Sequence, residues 1–528
     1  MIKNFQKTKP FALFVCLAVI FIASCKTTEP ASDIKTEQTA PAESPVTDPV
    51  KADEPSAEAS DKSENMQKKP EQKKSSSEAS ISKTEKSGFT LEAFTADLQK
   101  LLQKGDMKQA LNSFEKLPEA HKDNQDLNYL HASLLLSAGD VQKAAEKAAV
   151  LAKQNPENES IQLLNAMAAK AGGDNRKSVE IIRALLKKNP KNPDANAALA
   201  NNFMLVRNFK QANLYFKKGL EGDAAHSACL FGYGQTSWYL DEVDKAKEAF
   251  IKLSVLEPKN DMAWAYLAKL SGEARDYAKA TEYIQKAIAV NPDDYHHYLD
   301  AGSYYLGLEK PNEAEKAWTK AIKIEPDYFL AYTYRGGLRD EQGKYEEALD
   351  DYRNVIRCNP KYYYAYESVA MLAWRVENWN EALQGFLKAS EMNPENTSYK
   401  LMISACYRKM NNQAANKEYL SKAMRNMDRQ SLDYLMLRLY YDGLGDGNVL
   451  NKVMNENSRT TKGKMLFYMA LFYELTDKKS LAHKIYLEVA DMEAPLFFEY
   501  RLTQWAVEKM SAADKQTASE ERAAEKVR

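Results

Sequence analysis

From Lys26 to Gly88 there is no aromatic residue. A stretch made almost wholly of Lys, Glu, Asp, Ser, Thr, Ala, Pro and Gln buries too little apolar surface to offset its ordering entropy. A disordered tether is expected there, its ends on the order of 45 Å apart from about 5–6 Å × √n. Cysteine is scarce as well, five in 528 residues and none in a CxxC pair, and the odd number argues against a complete disulfide framework. Cys229, Cys358 and Cys406 fall in predicted helices and are expected to be buried free thiols. Neither sign of charge is in excess: the net charge is −1 with 28% charged residues, so electrostatics gives no case for nucleic acid.

Catalytic signatures are missing too. There is no P-loop, no HExxH and no strand-linked GxGxxG, and the Gly232-Tyr233-Gly234 stretch lies inside a predicted helix. His296-His297 is the only histidine pair, and adjacent helical residues point apart, which argues against shared metal ligation. Asp442, Asp446 and Asn448 lie in a predicted glycine loop without calcium-loop spacing, so a turn is expected. Six scattered histidines nominate no Ser/His/Asp arrangement. No catalytic residue, metal or cofactor is called, and the chain is expected not to be an enzyme.

The one long apolar run, Phe11 to Ile22, is short. A helix needs roughly 20 apolar residues to span about 30 Å of hydrocarbon. Behind Lys3, Lys7 and Lys9, and before small residues, the run fits a secretory signal over 1–24. It ends in Ile22-Ala23-Ser24-Cys25, which resembles the lipobox of bacterial lipoproteins, with Ile where Leu is usual. That resemblance implies cleavage before Cys25 and its acylation, with a lipid-anchored linker over 25–88. Several acyl chains, at about 0.8 kcal/mol per buried methylene, hold durably where one would not. The expected location is the cell envelope, periplasmic, with the choice of membrane left open.

What fills the remainder is a repeat. Pro156, Pro190, Pro258, Pro292, Pro326, Pro360 and Pro394 share one grid with a step of 34, broken only at Ala224. Proline occupies 18 of 528 positions, far too few to fill a grid in this way by chance. Twelve residues before the prolines or their equivalents run Ala110, Ala144, Ala212, Ala246, Ala280, Ala314, Ala348 and Ala382, with Ser178 and Asn416 in the two other slots. Ten residues after them come Ala132, Ala166, Ala200, Gly234, Ala268, Gly302, Gly336, Ala370 and Ser404. Bulky residues recur between, as at Phe114, Phe250, Trp318 and Phe386. Small residues let paired helices approach closely, and proline stops the second helix of each pair.

These spacings resemble the tetratricopeptide repeat (TPR) family, whose signature the repeat 261–294 matches at Trp264, Ala268, Ala280, Ile284, Ala287 and Pro292. Ten repeats are in phase from residue 91 to 430, giving an array over 89–430. Degenerate repeats and a capping helix, Leu496 to Met510, follow over 431–510, and a charged tail over 511–528. The resemblance implies an all-α, right-handed superhelical solenoid of about ten to twelve hairpins, each stabilised by its neighbours. It also implies a groove lined by positions 2, 5, 9 and 12 of each first helix. Carried over, these are Phe231, Gln235, Trp238, Met262, Lys269, His296, Leu299, Ser303, Leu330, Asp340, Tyr364, Glu367, Met371 and Trp374. Tyr298, Tyr332 and Tyr366 fall at position 4, which the family uses as core. The lysine and asparagine of a carboxylate clamp are absent: Asn201 is paired with Ala197. The expected function is a scaffold that binds a protein or peptide, in envelope assembly or secretion. The alternative is a polysaccharide- or ligand-binding adaptor.

Overall fold

The computed structural model describes residues 89–492 and 497–527. The expected signal, Cys25 and the tether, together with Pro495 and Leu496, lie outside them. The described residues form 25 α-helices and one 3-10 turn, and no strand occurs among them. No described helix is long and apolar enough to cross a membrane.

The period of 34 in the sequence is the period of the helices. First helices begin at Leu91, Gln125, Glu159, Pro193, Ser227, Asp261, Tyr295, Phe329, Tyr363 and Thr397, and each runs 13 residues. Local chemistry sets both ends. An Asn, Asp, Thr or His caps eight of the ten by accepting a backbone N–H from two or three residues on, as Asn192 does from Ala195 at 2.8 Å. Position 15 of every repeat turns through the left-handed region. It is glycine in four repeats, but Arg207, Asp241, Arg275, Glu309, Glu377 and Asn411 adopt the same conformation. The hairpin therefore imposes a backbone that its residue resists.

The alanine column that marks the repeat is the seam between the two helices. All eight alanines are completely buried. Asn416, in the same slot, is buried too and is satisfied by Ser404 at 2.6 Å and the Tyr440 carbonyl at 3.2 Å. At position 8, two of the glycines are held by a ring packed against them. A Cβ on Gly234 would come 2.8 Å from the Phe250 ring, and one on Gly302 would come 2.3 Å from the Trp318 indole. Of the position 4 tyrosines, Tyr332 is buried while Tyr298 and Tyr366 are half-buried. Cys229 and Cys406 are buried and free, whereas Cys358 is only half-buried.

Beyond residue 430 the pattern changes. Helices Leu432–Asp442 and Asp446–Met454 are joined by a turn only at Gly443 to Gly445, so Asp446 and Asn448 lie in a helix rather than in the expected loop. Helices Arg459–Leu475 and Lys479–Ala490 form a further hairpin. The last helix, Phe498–Val527, runs past Met510, where its end was expected. Its first three turns fold back along the array.

Candidate partner-binding groove

Each first helix presents positions 2, 5, 9 and 12 on one face, because residues three and four apart share a side of a helix. Two stretches of that face differ in what lies on it.

In the stretch 227–307 the face carries cross-repeat bonds. Trp238 donates its indole N–H to Glu273 at 2.8 Å, and the Lys269 ammonium lies 3.9 Å from the Trp238 ring centroid. Gln235 donates to the Tyr266 hydroxyl at 2.7 Å. Phe231 packs edge-on to Tyr266 and Phe250, with centroids at 5.5 and 5.9 Å. Burial pushes the Tyr266 hydroxyl up to about 12. The structure thus brings Phe231, Gln235, Trp238 and Lys269 together through Tyr266 and Glu273, two residues the family positions leave out. A scan for aromatic and acidic residues at positions 6 and 13 would have found both.

Met262, position 2 of the same first helix as Lys269, is exposed. His296 is exposed as well, held by Asp294 through its backbone N–H and ring Nδ1 at 2.9 Å and stacked on Tyr295. The hydrogen bond from His296 holds the Asp294 carboxyl down at about 2. Ser303 is exposed and donates to the Leu299 carbonyl at 3.3 Å. Leu299 itself corrects the sequence reading: it is buried with Trp318 and Leu338 and presents nothing to a partner. Leu330, half-buried, packs against the same cluster. Between the two repeats burial raises the Asp300 carboxyl, in the field of Lys269, His296 and His297.

His296 and His297 both lie near the Asp294 carboxylate, although they are adjacent on their helix. His297 is buried with its Nε2 3.1 Å from Asp261, and the atoms of Asp261, Asp294 and His297 lie within 4.8 Å of one another. Asp261 already accepts from Asn291 at 2.8 Å, and Asp294 caps its own helix. Inter-repeat capping accounts for the group without an ion.

In the stretch 329–409 the face is covered by the chain itself. Asp340, expected to be open to a partner, is buried and grips the Arg501 guanidinium with both oxygens. Met371 is buried in the core, a second correction. Glu367 accepts a hydrogen bond from the Tyr399 hydroxyl, and burial raises its carboxyl. Trp374 packs edge-on to Trp379 at 4.9 Å beneath the Lys409 ammonium, itself paired with Glu474 at 2.7 Å. Tyr364 alone stands clear, 60% exposed. The covering element is the last helix. Trp505 lies 5.5 Å from Tyr345, Glu508 pairs with Arg375 at 2.9 Å, and Lys509 pairs with Glu377. A face filled by the chain's own helix was not foreseen, because its contacts join residues more than 130 positions apart.

Geometry of this kind defines a class: a solenoid of helical hairpins whose first helices line a binding face. The tetratricopeptide repeat family model matches residues 99–159 and 299–363, so the chain carries tetratricopeptide repeats. Solved structures of similar build include MamA, at 23% identity over 31% of this chain and 95% of that one, with a TM-score of 0.29. Pseudomonas aeruginosa pilF is 17% identical over 40% of this chain and 96% of that one, with a TM-score of 0.35. YrrB, described as a TPR protein with an unusual peptide-binding site, is 19% identical over 38% of this chain and 99% of that one, with a TM-score of 0.32. A search of curated proteins found no match.

Proposed function

We propose that this chain is a non-enzymatic adaptor that docks a protein or peptide on the first-helix face of the stretch 227–307. The observation that carries this reading is the Trp238–Lys269–Glu273 cluster. It offers an aromatic, a cation and an anion held in place by cross-repeat bonds, and such preorganised anchors lose little entropy on binding. The polysaccharide reading is the weaker one, since the Lys269 ammonium occupies the indole face on which a sugar ring would stack. A photo-crosslinking residue at Met262 should capture a discrete protein in cells, while one at Val255, 73% exposed on a second helix, should not. Equal capture at both positions would sink the assignment.

The proposal extends to location. The Ile22-Ala23-Ser24-Cys25 sequence supports acylation of Cys25 and with it a periplasmic array; a role in envelope assembly or secretion follows only from the resemblance to other TPR lipoproteins. Cys25→Ala should then move the protein from the detergent to the aqueous phase of a phase partition. An unaltered chain that already stays in the aqueous phase would refute the anchor.

A further inference from the structure

We infer that the partner docked on the stretch 227–307 presents a basic side chain, arginine in preference to lysine, which seats on the Asp300 carboxylate near Glu273; this rests on the docking reading above and adds the partner's charge to it.

Asp300 stands in the right place. It is position 6 of its repeat, four residues after His296 and three before Ser303, and both of those are exposed on the groove face. Across the repeat boundary it lies in the field of Lys269. Tyr304, buried with its ring packed on Gly272, lies in the field of both Asp300 and Glu273.

The charge on this face does not balance. The first helices Ser227–Tyr239, Asp261–Glu273 and Tyr295–Gly307 hold Lys269, no arginine, and the acids Asp261, Glu273 and Asp300. Asp261 is taken up by Asn291 and His297. Glu273 and Asp300 therefore share one ammonium, which lies on the Trp238 ring. The second helices of the same repeats are the reverse, with eight lysines against five acids. A cationic segment is thus drawn to the inner face, and a partner carboxylate there would meet two like charges.

Asp300 also lacks a donor. Glu273 accepts from the Trp238 indole, but among the described residues no hydrogen bond reaches Asp300, and burial raises its carboxyl. Its desolvated charge is left uncompensated by the fold. A guanidinium offers such a carboxylate two parallel N–H bonds, a fit that an ammonium lacks.

The test uses the purified full chain labelled with 5-fluorotryptophan, in which the Trp238 resonance is the one lost on Trp238→Phe. The probes are short acetylated and amidated peptides that alternate glycine with arginine or glycine with glutamate. The arginine peptide should shift the Trp238 resonance saturably, and the glutamate peptide should not. Asp300→Asn should weaken the arginine peptide at least tenfold, the worth of one charge-assisted hydrogen bond. Asp244→Asn, exposed on a second helix, should leave it unchanged. The thermal midpoint of Asp300→Asn should not fall, because burial already disfavours the charge that the amide removes. Undiminished binding to Asp300→Asn overturns the inference. A lowered midpoint does so too, since it makes Asp300 a structural partner of Lys269. So does a glutamate peptide that shifts Trp238 as much as the arginine peptide, and this comparison on the unaltered chain decides alone where the variant does not fold. Crosslinking at Met262 separates the two readings: a captured segment without arginine or lysine defeats this inference and leaves docking standing, whereas no capture defeats docking itself.

Discussion

Up to repeat 329–362 the core is a string of small clusters, each joining neighbouring hairpins, such as Ala268 with Ile284 and Ala301, or Leu299 with Trp318 and Leu338. One large cluster then reaches from Ala348 to Trp505. The first region is a one-dimensional stack in which a hairpin contacts only its neighbours. The second is closed by a helix that returns across several repeats, so distant residues share one core. Keeping the stack open leaves its binding face free, whereas closing the far end fills that face.

The comparison is broken most directly by deleting a ring in each region. Phe386→Ala, in the closed region, should cost about 3–5 kcal/mol and loosen hydrogen exchange throughout 348–505. Phe250→Ala removes a ring equally buried, yet its exchange changes should stay within 227–294. Changes that spread alike from both sites would erase the distinction between the regions.

Loss of the charged clasp comes next. Asp340→Ala leaves Arg501 without its acceptor, and a hydrogen-bonded charge pair of this kind contributes about 1.5–3 kcal/mol. Denaturant unfolding should show the loss, and Glu273→Ala in the open region, which frees only an indole N–H, should show less. Gly302→Ala should cost about 1–3 kcal/mol by overpacking, because the added methyl displaces the Trp318 indole from its 3.1 Å bond to the Leu299 carbonyl. Gly173→Ala, where no neighbour lies within 4 Å, meets only backbone strain.

A pH dependence should separate the regions too. Burial raises the Glu499 carboxyl, which faces Tyr468, Ser398 and Lys464, and also that of Glu367 beside Tyr399. The folded state therefore holds protons that the unfolded state releases. Its stabilisation is fully present below the ordinary carboxylate pKa and is lost as pH rises through the raised values. Thermal unfolding of the closed region should weaken over that window, and Glu499→Gln should flatten the dependence. Smallest of all, Arg275→Gly should stabilise the open region by about 1 kcal/mol, because φ of +61° strains arginine and not glycine.

Local regularity made the array legible. Proline after most second helices, alanine at most seams and Asn or Asp at most caps are short-range necessities of a hairpin, so they recur at fixed spacing and place each first helix to the residue. Groove positions were legible only as positions. Trp238 and Lys269, named only as separate groove positions, stand together, whereas Leu299 and Met371 turned inward, and nothing local marks Tyr266 or Glu273 as their partners. The small residue at position 8 was visible, but why it is glycine opposite Trp318 and alanine opposite Ile284 emerges only from the packed rings.

The sequence by itself determined the hairpin, its period and the number of regular repeats, because each depends on residues within a few turns of one another. Tertiary structure alone decided which face stays open. Arg501 and Asp340 are 161 residues apart. No local propensity records a contact whose two halves meet only after the intervening hairpins have stacked.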